Sequence, residues 1–156
     1  MSNQFEEPRF PRLNRDSERN VMRTFDVQGI DLAVPRSTAF AFIADPAQLP
    51  RWTDAFASVT PGRAMMRTPS GEVMVDLDVL ASPEQGTVDW RIRFPDHSVA
   101  SAFSRVVEIA PDRCIFSFVL TLPPAPLEQL EGALETQART LAGELRTLKQ
   151  TLEHHG

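Results

Sequence analysis

The sequence predicts an α+β fold: a curved antiparallel sheet of six or seven strands around a long C-terminal helix, with two short helices after the first strand. Three observations carry this prediction. Strand-like alternation of apolar and polar residues runs from Glu72 to Leu122, cut by Pro, Gly and Asp turns. A stripe of leucines at helical spacing then follows from about Leu127 to Glu153: Leu127, Leu130, Leu134, Leu141, Leu145, Leu148 and Leu152, with Ala138 in its gap. Near the other end, the pattern switches from strand to helix spacing across Val34-Pro35-Arg36-Ser37.

Residues 1–22 mix Arg, Glu, Asn and Pro without periodicity, and Pro8 and Pro11 exclude a regular element. They are expected to form a flexible or partner-docking arm ahead of a single domain over 23–156. A first strand is expected from about Thr24 to Val34. Its apolar parity changes between Val27 and Ile30 across Gly29, so a bulge at Gln28-Gly29 is expected. Phe40, Ile43 and Ala44, flanked by Ala39 and Phe42, form a short helix that Asp45-Pro46 stops, because the residue before a proline is driven to extended backbone. A second helical turn at Ala47-Gln48-Leu49 leads to Pro50-Arg51-Trp52. Phe56 to Met66 reads as a strand interrupted by Pro61-Gly62. Strands over 72–80, 87–94, 99–109 and 113–122 follow, and Pro123-Pro124-Ala125-Pro126 ends the sheet and opens the helix.

Cross-strand pairing tests this order. A tight connection at Pro83-Glu84-Gln85-Gly86 sets Val75, Leu77 and Val79 against Phe94, Ile92 and Trp90, and Asp76 and Asp78 against Arg93 and Arg91. One register satisfies both faces, whereas a slip of one residue would exchange them. Continued through the Pro95-Asp96-His97-Ser98 turn, it pairs Trp90 with Phe103 and Val88 with Arg105. The Pro111-Asp112 turn sets Arg105 beside Phe118, Phe103 beside Leu120 and Ser101 beside Leu122. Both hairpins thus place Arg105 and Ser101 on the apolar face.

A chain of 156 residues suits one domain with a sizeable core. Its net charge of -5 argues against a general nucleic-acid surface, and no segment is apolar enough for an integral membrane span. The polar N-terminus reads as that of a cytoplasmic protein. Cys114 is the single cysteine, which excludes an internal disulfide and a cysteine zinc site, and a small buried strand residue is its natural reading. His97 in a turn, with His154 and His155 at the tail, makes no metal centre, so neither a metal nor a cofactor is expected. Asp76 and Asp78 read as half of a solvent-face ion-pair ladder.

The segment Ile30-Asp31-Leu32-Ala33-Val34-Pro35-Arg36-Ser37-Thr38-Ala39-Phe40-Ala41-Phe42-Ile43-Ala44-Asp45-Pro46, with Leu49-Pro50-Arg51-Trp52, resembles the opening of the START-like superfamily, also called SRPBCC or Bet v 1-like. It is most similar to the polyketide cyclase/dehydrase and lipid transport branch. The resemblance covers about Thr24 to Glu153 and implies a helix-grip fold that holds hydrophobic ligands between the sheet and the C-terminal helix. It also implies that the neighbourhood of Trp52 borders the cavity entrance.

Arg105 is the sharpest candidate for a ligand contact. A guanidinium on an apolar concave wall needs an anion, such as a ligand carboxylate, phenolate or phosphate. A bulge that turns it outward, or a place at the sheet end where it reaches water, are the alternatives. The other expected lining residues are Ser101, Trp52, Phe42, Val75, Leu77, Trp90, Ile92, Phe94, Phe103, Phe116, Phe118, Leu120, Leu134 and Leu141. The same residues would equally fill a solid core.

Three functions are open on this reading. One is binding or transport of a hydrophobic or amphipathic small molecule, a lipid, quinone or polyketide-like compound. Another is a polyketide cyclase/dehydratase, for which no interior acid or base is placed. The third is an interaction module using the arm and the leucine helix, whose tail near Leu148 and Leu152 is expected to overhang the domain and to suit a homodimer contact.

Overall fold

The computed structural model describes residues 24–68, 70–122 and 133–154. Seven strands form one antiparallel sheet: β1 (Phe25–Leu32), β2 (Phe56–Thr60), β3 (Arg63–Thr68), β4 (Gly71–Ser82), β5 (Thr87–Arg93), β6 (Val99–Ala110) and β7 (Arg113–Thr121), in the order β1-β7-β6-β5-β4-β3-β2. Between β1 and β2 lie α1 (Arg36–Ala44), a single 3-10 turn at Pro46–Gln48 and α2 (Leu49–Trp52). The long helix α3 (Ala133–His154) follows β7. The expected arm, the proline run 123–126 and the leucines at 127 and 130 lie outside the described residues.

α3 packs against β1 and α2. Its five described stripe leucines, Leu134, Leu141, Leu145, Leu148 and Leu152, are all buried. Leu148 is 0% exposed and Leu152 6%, which corrects the expected overhang: these leucines are covered within one chain by the core that Leu32, Val34, Ile43 and Trp52 share. Polar ties run along the same seam. Glu153 accepts from the Ala33 amide (2.8 Å), and Lys149 reaches the Asp31 carbonyl and Glu153 (both 2.8 Å).

β4 and β5 pair as their two faces require, with Leu77 opposite Ile92, Val79 opposite Trp90 and Asp78 opposite Arg91. Gly86 closes their turn with a φ of 73°. A side chain there would press into the Val106 carbonyl, because the turn folds onto β6 and is clamped from α1 by Arg36, whose Nη2 donates to the Pro83 carbonyl (2.7 Å). On the solvent face the described contact of Asp76 is Arg63 of β3, at 3.7 Å, with both side chains well exposed. Asp76 also lies opposite Arg93 on β5, as expected, so it stands between two basic neighbours.

β6 departs from expectation by one residue along its length. Arg93 pairs with Val99, Trp90 with Ala102 and Val88 with Ser104. The cause is the turn: Phe94 receives from the His97 amide (2.9 Å) and donates to the Ser98 carbonyl (2.9 Å), leaving a three-residue loop in which His97 adopts a φ of 69°. Three-residue hairpin loops ordinarily end, as here, in one left-handed residue. Asp96 holds it by accepting from the Ser98 amide and hydroxyl. On the other side, Ala110 pairs with Arg113 as the Pro111-Asp112 turn dictates, but a bulge between Glu108 and Ala110 shifts the rest, so that Val106 faces Phe116 and Ser104 faces Phe118. Two separate irregularities therefore turn β6 over in the same sense.

β1 shows the reverse. It pairs with β7 without interruption from Phe25 opposite Thr121 to Leu32 opposite Cys114, so the expected bulge at Gln28-Gly29 is absent. The parity conflict is settled by placing Asp26 and Gln28 inward and leaving Phe25 and Val27 each 54% exposed.

His97 gives a first test. A left-handed non-glycine residue carries a cost on the order of 1 kcal/mol. His97→Gly should raise the melting temperature by about 2–4 °C; a lower value would mean that the imidazole itself holds the turn.

Candidate functional site

The concave face is built in cross-strand rows. One row runs Asp26, Leu120, Ala102, Trp90 and Val79; the next runs Gln28, Phe118, Ser104 and Val88. Small residues on β6 make room for large ones on its neighbours: Ala102 lies between Trp90 and Leu120, and Ser104 between Val88 and Phe118. The Ser104 hydroxyl is committed to the Val88 carbonyl at 2.6 Å.

Trp52 enters this face from α2. Its short helix is fixed at the end by Thr53, whose amide and hydroxyl both donate to the Leu49 carbonyl (2.9 and 2.8 Å). The indole meets Trp90 edge-on, with ring centres 6.4 Å apart, and Phe116 at 6.2 Å. Trp90 stacks on Phe118 at 5.7 Å, and Phe118 meets Phe116 at 6.2 Å. All four rings are buried. Such pairs add about 0.5–1.5 kcal/mol each beyond their area. Both indole N–H groups, Trp52 Nε1 and Trp90 Nε1, are buried without a hydrogen-bond partner. An unpaired buried donor costs about 1–3 kcal/mol.

Of the expected lining residues, Val75, Leu77, Trp90, Ile92, Phe116 and Phe118 are buried in the concave core with Trp52, and Phe94 and Leu120 are half-buried against it. Leu134 and Leu141 are buried on α3. Phe42, half-buried on α1 and packed against the same core, lies under the Arg51 guanidinium (5.2 Å), beside an open groove of about 400 Å³ that Asp45, Gln48 and Leu152 also line. Arg105, Phe103 and Ser101 belong to the opposite, convex face. Phe103 is 43% exposed, and Arg105 is exposed with its Nε donating to the Gln85 carbonyl at 3.2 Å. The one-residue shift of β6 is the reason, and it withdraws Arg105 as an interior anion anchor.

Sequence reasoning missed two carboxylates. Asp26 is 8% exposed and accepts from Gln28 Nε2 (2.7 Å), which also donates to the Ala138 carbonyl of α3 (2.8 Å). The signal was present in the parity of β1, had the polar residues been allowed inward. Glu144 on α3 accepts from the Asp54 amide, two residues after Trp52, at 3.0 Å. Burial, helped by the nearby Asp54 carboxylate and opposed by that hydrogen bond, pushes its carboxyl up to about 7. Burial also pushes the Cys114 thiol up, which leaves it unreactive.

Among the described residues the buried polar side chains are Asp26 and Ser104, besides the two indoles. None of the described Arg or Lys side chains is buried. No three described His, Cys, Asp or Glu side chains come together as a metal-binding group, and no described helix is long and apolar enough to cross a membrane.

No protein-family model and no curated protein matches the sequence. Solved structures do match the fold. A START superfamily protein from Mycobacterium smegmatis superposes with a TM-score of 0.67 at 14% identity, over 86% of this chain and 100% of that one. The Zhui aromatase/cyclase from a Streptomyces species gives 0.60 at 10% identity, over 84% and 92%. The two-domain aromatase/cyclase BexL gives 0.62 at 17% identity, over 85% of this chain and 47% of that one. At these identities the likeness establishes the fold, the START-like helix-grip architecture.

Proposed function

We propose, from the START-like fold as premise, that this protein binds a hydrophobic small molecule, lipid, quinone or polyketide-like, between the concave face of its sheet and α3. The observation that carries the reading is the pair of buried, unpartnered indole donors within the aromatic wall of Trp52, Trp90, Phe116 and Phe118. A sealed apolar core has no use for two such donors, since Phe would fill the same space without their desolvation cost.

The test is titration with the neutral fluorescent probe N-phenylnaphthylamine. A blue-shifted, enhanced emission with one probe per chain is expected, and Ala102→Phe, which fills the wall between Trp90 and Leu120, should weaken it by about tenfold. Unchanged affinity in that variant would move the probe elsewhere, for instance to the groove beside Phe42.

A second reading, a polyketide cyclase/dehydratase, is favoured by Asp26. It is a buried carboxyl in the same row as Leu120, Ala102 and Trp90, where a general acid or base would have to stand. The aromatase/cyclases among the structural neighbours are consistent with this. Burial of the α3 leucines within one chain leaves the interaction-module reading without its main support.

A further inference from the structure

We infer that the outer edge of β1 is a self-pairing surface, where two copies of this chain join antiparallel about a two-fold axis through Val27 and continue one sheet into the other. The two ends of the sheet are built differently. β2 is five residues long and its register with β3 shifts between Phe56 and Ser58, a short and irregular edge that resists further pairing. β1 runs eight residues in unbroken register and holds neither proline nor lysine. Its backbone parity follows from the Leu122 amide, which donates to the Thr24 carbonyl (3.4 Å). Successive residues of an antiparallel strand bond to opposite sides, so the amides and carbonyls of Phe25, Val27 and Gly29 point away from β7. By the same parity the Asp31 carbonyl lies outward, and the Lys149 ammonium donates to it (2.8 Å), which ends the open stretch after Gly29. Phe25 and Val27 are each 54% exposed, and Gly29 is exposed beside them.

Self-complementarity selects a second copy as the occupant. Glycine weakens a strand interior, and within its own chain Gly29 has no evident need to be one: a Cβ there would meet the Phe116 carbonyl at an ordinary 3.6 Å. Paired about Val27, the strand gives that glycine a use, because the partner's Phe25 then lies across its bare backbone while Val27 meets its own copy. On the concave side Asp26 stands opposite the partner's Gln28, so a carboxylate faces an amide. A register about Asp26 would instead set two carboxylates against each other. Registers about Gln28 or Gly29 would need the Asp31 backbone that Lys149 holds. A pairing of identical edges closes at two copies. The stretch from Phe25 to Gly29 is far shorter than the roughly 20–30 residues a side of a standard interface, so the dimer is weak, forming at about 100 μM and separating at about 1 μM.

Sedimentation velocity of the full chain from about 1 μM to 1 mM should show the mass rising from monomer to dimer. A chain that stays monomeric throughout overturns the inference, and is the result expected if residues 1–23 or another protein's strand take the edge instead. Val27→Lys and Val27→Glu should each weaken association by about tenfold, since like charges then meet on the axis, and an equimolar mixture of the two should restore it as a heterodimer. Both substitutions fall on a side chain that is more than half exposed, so the fold is kept. Dimers that survive either substitution, or a mixture that stays monomeric, would refute the pairing. Val27→Cys reads the register directly: paired Cα atoms stand about 5.5 Å apart, within disulfide reach. Mild oxidation should link that variant and spare Leu80→Cys, which lies far along the same convex row, while the native Cys114 is buried. Equal linking of the two variants would count against it.

Discussion

Phe116→Ala is expected to destabilise the protein by about 3–5 kcal/mol, because it empties a fully buried site rather than trimming a tolerant one. Phe116 is 0% exposed, meets Trp52 and Phe118 edge-on, and lies opposite Ile30 on β1 and Val106 on β6. Collapse around the vacancy is resisted from both neighbouring strands at once. The same strand supplies the comparison. Ile115→Ala removes a residue that is 37% exposed on the convex face and should cost no more than about 1 kcal/mol. Chemical unfolding of the two variants measures the difference. Equal losses would mean that β7 does not have the parity described above.

The second large effect is a stability that declines with pH. Glu144 is held at about 7, above its ordinary value of 4.5, chiefly by burial. A carboxyl raised in the folded state binds its proton more tightly there than in the unfolded chain, so stability falls as pH climbs from about 4.5 and the loss is complete above about 7. Its size is on the order of 2–3 kcal/mol. Asp31, Asp96 and Glu153 are shifted the other way, mainly by Lys149 for Asp31 and Glu153 and by Ser98 for Asp96. Their contribution is lost only in acid, as pH falls through their lowered values. The slope between about pH 5 and 8 therefore belongs to Glu144 among these groups. Urea unfolding of wild type and Glu144→Gln at both ends of that range should show near-equal stability at the acid end and a more stable variant at the alkaline end. Parallel pH profiles would refute the assignment.

The β4-β5 hairpin was legible because its faces differ in chemistry as well as in size: acidic and basic residues pair outside while Leu77, Val79, Ile92 and Trp90 pair inside. The leucine stripe of α3 was legible for the same reason. On β6 that contrast fails. Its inward residues are Ala102, Ser104 and Val106 and its outward ones Phe103, Arg105 and Val107, so an alternation weighted by hydrophobic bulk chooses the wrong face. Volume decides instead, since Trp90 and Phe118 on the flanking strands leave space for little more than a methyl or hydroxymethyl group. The two irregularities that set the register, a left-handed His97 and a bulge near Ile109, carry no glycine to announce them. At the site, the aromatic wall was visible in composition and spacing. The inward turn of Asp26 and Gln28 was not, because the Ala138 carbonyl, which shares the Gln28 amide with Asp26, lies more than a hundred residues away in the chain.

The strand order gives the chain an unusual timetable during synthesis. Among the described residues β1 has β7 as its neighbour in the sheet, and it also packs against α3, which follows β7 in the chain. The earliest strand must therefore wait, unpaired and with Phe25 and Val27 uncovered, while the β2-to-β7 meander assembles by local hairpins. The β1–β7 pairing joins segments about ninety residues apart, so closing it is a long-range event of the kind that slows folding.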